Sequence, residues 1–207
     1  MDRDILINSL YFRHACKVFD RDKKVDKESL ELILESARLA PSSFGMEPWR
    51  FEVICNKSLK EQLKPHCWNQ NQITNCSHLI AIIATTKAPT QIEYIESMFA
   101  RRGLSTEATK AYVDRYLDYI NNLDSVTEWV KRQCYIASSH MMVYASLLGI
   151  DTCPIEGFDK DGVNSTLELD TNIEEIALLL PIGYRKNSKN PPKARKRFED
   201  VITFEGC

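Results

Sequence analysis

Apolar residues recur at helical spacing in some stretches of this chain and as short unbroken runs in others. Ile5, Leu6, Ser9 and Leu10 share one side of a short helix predicted over residues 1–13. A second helix is better marked. Asp26 is a good N-cap, Val25 and Leu30 occupy the positions of a hydrophobic staple, and Glu28 suits the first turn. Leu30, Ile33, Leu34 and Ala37 then follow the helical period until Pro41 stops it. Residues 49–55 read as a strand. Residues 57–66 read as a helix with Leu59 and Leu63 inward, and residues 78–86 as a strand covered on both faces. Residues 87–124 are more polar. Within them a helix over 106–121 carries Ala111, Val113, Tyr116, Leu117 and Ile120, and the whole segment reads as a surface excursion able to act as a lid.

The strongest helical pattern spans residues 126–148: Val126, Trp129, Val130, Gln133, Ile136, Ala137, His140, Met141, Tyr144 and Leu148. Its second half is apolar nearly all round, which predicts burial in a core or against a second subunit. Gly149 suits the residue that ends such a helix. A short strand over 152–155, a short helix over 160–167 and a buried strand over 173–184 follow. The tail from Arg185 is basic, contains Pro191 and Pro192, and ends in a strand-like stretch, 201–204. Helices and strands alternate without a regular βαβ rhythm. This predicts one α+β domain over residues 1–207, with helices around a modest sheet and residues 185–207 extending onto a second subunit.

Net charge is −2, so the molecule as a whole has no strong attraction to nucleic acid or anionic lipid. Seven cysteines, at 16, 55, 67, 76, 134, 153 and 207, include no CxxC pair. That spacing argues against a disulfide framework and a zinc site, and fits reduced thiols in the cytoplasm. Residues 1–10 are too charged for a secretory signal, and no apolar run is long enough to span a bilayer.

Five clusters could carry chemistry. Arg13-His14-Ala15-Cys16-Lys17 can bind a phosphate and a second anionic centre, although a solvated basic turn has the same composition. Pro41-Ser42-Ser43-Phe44-Gly45-Met46-Glu47-Pro48-Trp49 is a stiff loop with hydroxyls and aromatics; it also reads as an ordinary helix-to-strand connection. Pro154-Ile155-Glu156-Gly157-Phe158 puts a glycine where backbone can approach a ligand closely, or simply turns at a strand end. In the tail, seven of the thirteen residues from Arg185 to Arg197 are Lys or Arg, around Pro192-Lys193-Ala194-Arg195. Asn69 lies in a polar stretch, Trp68-Asn69-Gln70-Asn71-Gln72, and its amide could bridge a ring carbonyl.

Taken in series, RHxxK, PSS…PW, PIEGF and PKxR resemble the FMN-dependent, oxygen-insensitive NAD(P)H nitroreductases, of the bacterial type that activates nitroimidazole and nitrofuran drugs. The order holds over almost the whole chain, including Glu128-Trp129 at the start of the long helix. The resemblance implies a nitroreductase-like fold with a central, mostly antiparallel sheet. It also implies an intertwined homodimer that exchanges a C-terminal strand and holds FMN at the interface. Arg13, His14, Lys193 and Arg195 would then hold the flavin phosphate side, with Ala15 and Cys16 beside them, and Lys17 would sit near N1 and O2. Ser42, Ser43 and Gly45 would come from the partner subunit, and Asn69 would touch the ring edge near the nicotinamide. Pro154, Ile155, Glu156 and Gly157 would line the ring, with N–H groups at 156 and 157 facing N5 and O4. Phe44, Tyr116 and Tyr119 would meet the substrate. No dedicated catalytic side chain is implied; Lys17 and Glu156 are the nearest candidates, and no metal is expected. The implied reaction is a ping-pong hydride transfer from NADPH or NADH to nitroaromatics or quinones. A dehalogenase of the same fold and a nucleic-acid binder using the tail are the alternatives.

The loop departs from the family's usual PSSxNxQPW at Gly45 and Glu47, and Phe44 adds bulk, which predicts altered substrate contacts and weaker flavin retention. Cys16 among cations suggests a reactive thiol, against the plainer reading of Cys16 and Cys153 as buried apolar groups. Trp68 and Trp129 read as packing residues.

Overall fold

The computed structural model describes residues 2–187 and 191–206. Along the chain its elements are α1 (Arg3–Phe12), α2 (Lys27–Arg38), β1 (Trp49–Ile54), α3 (Lys57–His66), α4 (Gln72–Asn75), β2 (His78–Ala84), α5 (Ile92–Ala100), α6 (Thr106–Asn121), α7 (Val126–Leu147), β3 (Asp151–Thr152), α8 (Lys160–Thr166) and β4 (Glu175–Gly183). The four strands form one antiparallel sheet in the order β1-β2-β4-β3. Side chains alternate across it. Ile80, Ile82 and Ala84 of β2, with Leu178, Leu180 and Ile182 of β4, face a core shared with α2, α5, α6 and α7. Leu79, Ala81 and Ile83, with Ile176 and Leu179, face a second core shared with α3, α4 and α8. Both faces of β2 and β4 are therefore covered, as their unbroken apolar runs predict. A register shift opposite Ile82 and Ile83 leaves Ala177 out of the ladder.

Local chemistry places the helix starts. Asp26, Asn56, Ser105, Ser125 and Asp159 each accept a hydrogen bond from the backbone N–H three residues on. Gly149 adopts φ +70°, the left-handed residue that ends α7.

Three expectations change. Residues 87–124 are held more tightly than a surface excursion. Ile95, Met98 and Phe99 of α5 and Val113, Tyr116 and Ile120 of α6 all enter the main core. α5 escaped notice because its buried face is only three residues wide within a polar stretch. Residues 201–204 form no strand; a 3-10 turn at Phe198–Asp200 precedes them, and Val201, Ile202 and Phe204 are exposed. A strand needs a neighbour to complete its hydrogen bonds, and this segment has none in the single chain. Helix α2 already ends at Arg38, before Pro41. No helix among the described residues is long and apolar enough to cross a membrane.

Candidate functional site

After α1 the chain runs along the β3–β4 end of the sheet. Ala15 bridges Thr152, Cys16 N–H donates to the Thr152 carbonyl (3.0 Å), and Asp20 N–H donates to that of Tyr184 (2.8 Å). This path lays Arg13, His14 and Lys17 beside the segment that leaves β4. Asp151 organises the place. It is 3% exposed and accepts from Arg185 Nη2 (2.6 Å), Arg185 Nε (2.9 Å) and the Arg185 backbone N–H (2.9 Å). His14 Nδ1 lies 3.5 Å from the same carboxylate, and the Phe12 ring lies 4.1 Å from the Arg185 guanidinium carbon.

The tail returns to this point. Lys193 is held below the usual lysine range, first by partial burial and then by the charges of Arg13, Arg195 and Arg185. Burial first, and Arg185 and Lys193 among the charges, hold His14 below the ordinary histidine value. Like charges act on one another this way only when crowded together. Among the described residues, no carboxylate forms an ion pair with Arg13, Lys17, Lys193 or Arg195. The result is a cationic cluster drawn from both ends of the chain, in which Asp151 answers Arg185 and no described carboxylate pairs with Arg13, Lys17, Lys193 or Arg195. A cleft of about 220 Å³ lies beside it, lined by His14, Lys17, Arg185 and Asn187 among others.

The exposed Lys17 joins this cluster to the segment after β3, its Nζ lying 3.7 Å from Cys153 Sγ. Cys153 and Ile155 spend their backbone N–H groups on Pro181 (3.1 Å) and Leu179 (2.8 Å). No partner accepts from the N–H groups of Glu156 and Gly157 among the described residues. Glu156 is exposed, and its charge, after burial, helps hold the Tyr135 hydroxyl above the usual tyrosine range. Pro154 is half-buried.

The Trp68–Gln70 turn lies against Gly157. Gln70 Nε2 donates to the Gly157 carbonyl (2.9 Å), and a Cβ at 157 would come within 2.5 Å of the Trp68 ring. Trp68, expected as a packing residue, is 72% exposed and lies over the glycine. Trp68 (φ 53°) and Asn69 (φ 56°) are both left-handed, a conformation asparagine tolerates and tryptophan resists. Gly157→Ala is expected to cost about 1–3 kcal/mol by overpacking. Thermal unfolding checks this, and the loss should be recovered in Gly157→Ala/Trp68→Ala, where the clash is gone.

The 41–49 loop sits apart. Ser43 N–H donates to Gln133 Oε1 of α7 (2.9 Å), and Ser42 Oγ accepts from Glu47 N–H (2.9 Å). No hydrogen bond or ion pair links this loop to residues 13–17 among the described residues. Its departures have local reasons. Phe44 (φ 54°), Gly45 (φ 62°) and Glu47 (φ 45°) are left-handed, and Glu47 pairs with Arg101 (3.2 Å). Phe44 packs edge-on against Tyr116 and tilted against Tyr119. Tyr116, expected over the substrate, is fully buried, and its hydroxyl donates to the Pro89 carbonyl (2.9 Å). It is a core residue, because its place on α6 faces Phe99 and Trp129. Tyr119 keeps 37% exposure.

Of the two readings of Cys16, the structure supports the plainer one, a buried apolar thiol. Cys16 is 1% exposed, and burial first, then Asp151, pushes its thiol up to about 11. Lys17 reaches Cys153 Sγ, the charge of Arg185 offsets the rise only in part, and the Cys16 Sγ donates to the Val18 carbonyl. Cys153 is raised by burial despite Lys17. Cys55 is the exposed thiol among the described cysteines. Peptide mapping after brief alkylation should find Cys55 modified and Cys16, Cys67, Cys134 and Cys153 spared. His14, Cys16 and Asp151 also bring possible metal-ligand atoms within 4.8 Å of one another. Both Asp151 oxygens accept from Arg185 and the Cys16 thiol donates to the Val18 carbonyl, so these groups already have partners within the chain.

Asp151, Arg185 and Gln133 are the residues that motif reading passed over. An acid inside the buried GIDTC stretch was the available signal, since a buried carboxylate requires a partner.

The nitroreductase family profile matches residues 10–184. A relative from Staphylococcus haemolyticus is 39% identical over 98% of each chain, and one from Staphylococcus epidermidis is 37% identical over 96% of each; both are named as NAD(P)H nitroreductases. A nitroreductase from Exiguobacterium sibiricum, solved in complex with FMN, is 28% identical with a TM-score of 0.81, covering 97% of each chain. A nitroreductase-like protein from Streptococcus mutans shares the fold with a TM-score of 0.88 at 24% identity, covering 99% of this chain and 100% of its own. The chain belongs to the nitroreductase family.

Proposed function

We propose that this protein is an FMN-dependent NAD(P)H oxidoreductase that reduces nitroaromatics or quinones. The observation that carries this reading is the cluster of Arg13, Lys193 and Arg195 without a counter-anion, which suits a dianionic phosphate. Arg185 and His14, held by Asp151, would keep that cluster in place. Lys17, reaching from the cluster to Cys153, would put positive charge beside the ring's N1 and O2 and favour its reduced, anionic form. The unengaged N–H groups of Glu156 and Gly157 would orient the ring at N5 and O4. Asn69 beside Gly157 would meet the ring edge, with Pro154 and Ile155 behind it. When bound, FMN would supply hydride transfer from NADPH or NADH to the second substrate in two half-reactions.

The single chain leaves part of this site open. Ser42, Ser43, Gly45 and Phe44 lie away from Lys17, so a second copy would bring them to the ring. Exposed Ile5, Leu6, Leu10 and Tyr11 of α1 and Ile136, Val143 and Tyr144 of α7 offer an apolar face for that copy, and exposed Phe198, Val201, Ile202 and Phe204 give the tail a means of gripping it. Tyr119 is the aromatic left to meet the substrate. Six unpaired cysteines among the described residues favour a reducing compartment such as the cytoplasm.

The test is an absorbance spectrum of the protein after FMN addition and gel filtration. Flavin should co-elute, bleach on adding NADPH or NADH without oxygen, and recover with nitrofurazone or a quinone. A chain that retains no flavin at saturating FMN would refute the proposal. Recovery only with a halogenated phenol would move the reaction to dehalogenation.

A further inference from the structure

Beyond the flavin cluster, residues 21–25 continue to the turn before β2, where Val25 N–H donates to Ser77 Oγ (2.9 Å). There they wall a cleft of about 650 Å³ with the start of α3 and the turn before β2. Four cations line it, Arg21, Lys24, Lys57 and Lys60, against two carboxylates, Asp22 and Glu61. None of these four cations forms an ion pair among the described residues. Lys60 is the unusual member. It is 3% exposed, and its ammonium donates to the Cys76 (3.2 Å) and Ser77 (3.0 Å) carbonyls. Two of its three N–H groups are thereby used, while its charge stays uncompensated. A buried charge costs several kcal/mol unless paired, and two carbonyl dipoles offset only part of that. The His78 ring faces the same charges: burial first, then Lys60 and Lys24, hold it below the ordinary histidine value. Its Nδ1 lies 3.0 Å from Ser77 Oγ. None of these residues has a part in the flavin site.

We propose that this cleft binds a compact phosphate-bearing anion, up to the size of a mononucleotide. Its volume falls within the range of roughly 300–1,000 Å³ usual for small-molecule sites. No Phe, Tyr or Trp lines it, so no base or ring is clasped and the phosphate groups carry recognition. Lysine ammoniums answer phosphate as point charges. A polymer would need a basic stripe, whereas these cations converge on a concavity in a chain of net charge −2.

Cys55 is exposed and lines the cleft, so it reports on it locally. In the FMN-loaded protein, anionic iodoacetate and neutral iodoacetamide are compared at Cys55 by peptide mass spectrometry, against the urea-denatured chain. The iodoacetate-to-iodoacetamide rate ratio should rise about tenfold on folding, the lower end of what a cleft of one sign gives an oppositely charged reactant. Inorganic pyrophosphate should suppress alkylation at Cys55 well beyond sodium chloride of equal ionic strength, with the flavin spectrum unchanged. ADP should protect no better than pyrophosphate. In Lys24→Gln/Lys57→Gln, both exposed positions, the ratio should fall towards the denatured value and protection should vanish. A ratio equal to that of the denatured chain overturns the proposal, as does protection matched by sodium chloride or retained in the double variant. A chain that takes up no FMN can be tested at Cys55 in the same way, so the two proposals fail separately.

Discussion

Asp151→Asn should destabilise the protein by about 3–5 kcal/mol, the usual cost of removing one partner from a buried ion pair. The Asp151 side chain is 2% exposed and that of Arg185 12%, and three donors of Arg185 converge on the carboxylate. An amide of the same shape keeps the volume but offers one acceptor oxygen, so it leaves a guanidinium buried without its counter-charge. For a chain of this length the thermal midpoint should fall by about 10 °C. Asp151→Asn/Arg185→Gln should recover part of the loss, because the uncompensated charge goes with the arginine. A single variant within a degree of wild type would mean that the pair contributes nothing net. The flavin should also be held more weakly in Asp151→Asn at temperatures where the chain is fully folded, since His14 and Arg185 lose their common anchor.

Arg13→Ala/Lys193→Ala should weaken FMN binding by about three orders of magnitude, from roughly 2 kcal/mol for each charge-assisted hydrogen bond lost. Neither side chain has an acidic partner among the described residues, so their removal leaves no stranded carboxylate. Stability without flavin should hold steady or rise slightly, because Lys193 is already disfavoured by Arg13, Arg195 and Arg185. That opposite movement of affinity and stability separates a binding role from a structural one. Equilibrium titration of apoprotein by flavin fluorescence, beside a thermal melt, reads both.

Much of the fold was legible because its signals are local. The cap at Asp26 and the apolar runs of β2 and β4 depend on neighbours a few residues away. The 201–204 stretch forms no strand in the single chain because an apolar pattern alone cannot supply a pairing partner. At the site, Lys193 feels the charges of Arg13 and Arg195, His14 feels that of Lys193, and Lys17 reaches Cys153 before Pro154. Tyr116 was placed over the substrate because sequence gives the period of a side chain but not the depth of the wall it faces. Helical spacing is equally consistent with Tyr116 on a lid and Tyr116 against Phe99. Asp151 was missed because its partner, Arg185, lies 34 residues away in a basic run that looked solvated.

Cations from both ends of the chain are proposed to surround one phosphate. The measurement that tests it most directly is the affinity of FMN relative to riboflavin, which lacks the phosphate, in wild type and in Arg13→Ala/Lys193→Ala. Wild type should favour FMN strongly, and the double variant should lose most of that preference while binding riboflavin as before. Equal weakening towards both flavins, or a preference left intact, would contradict the account.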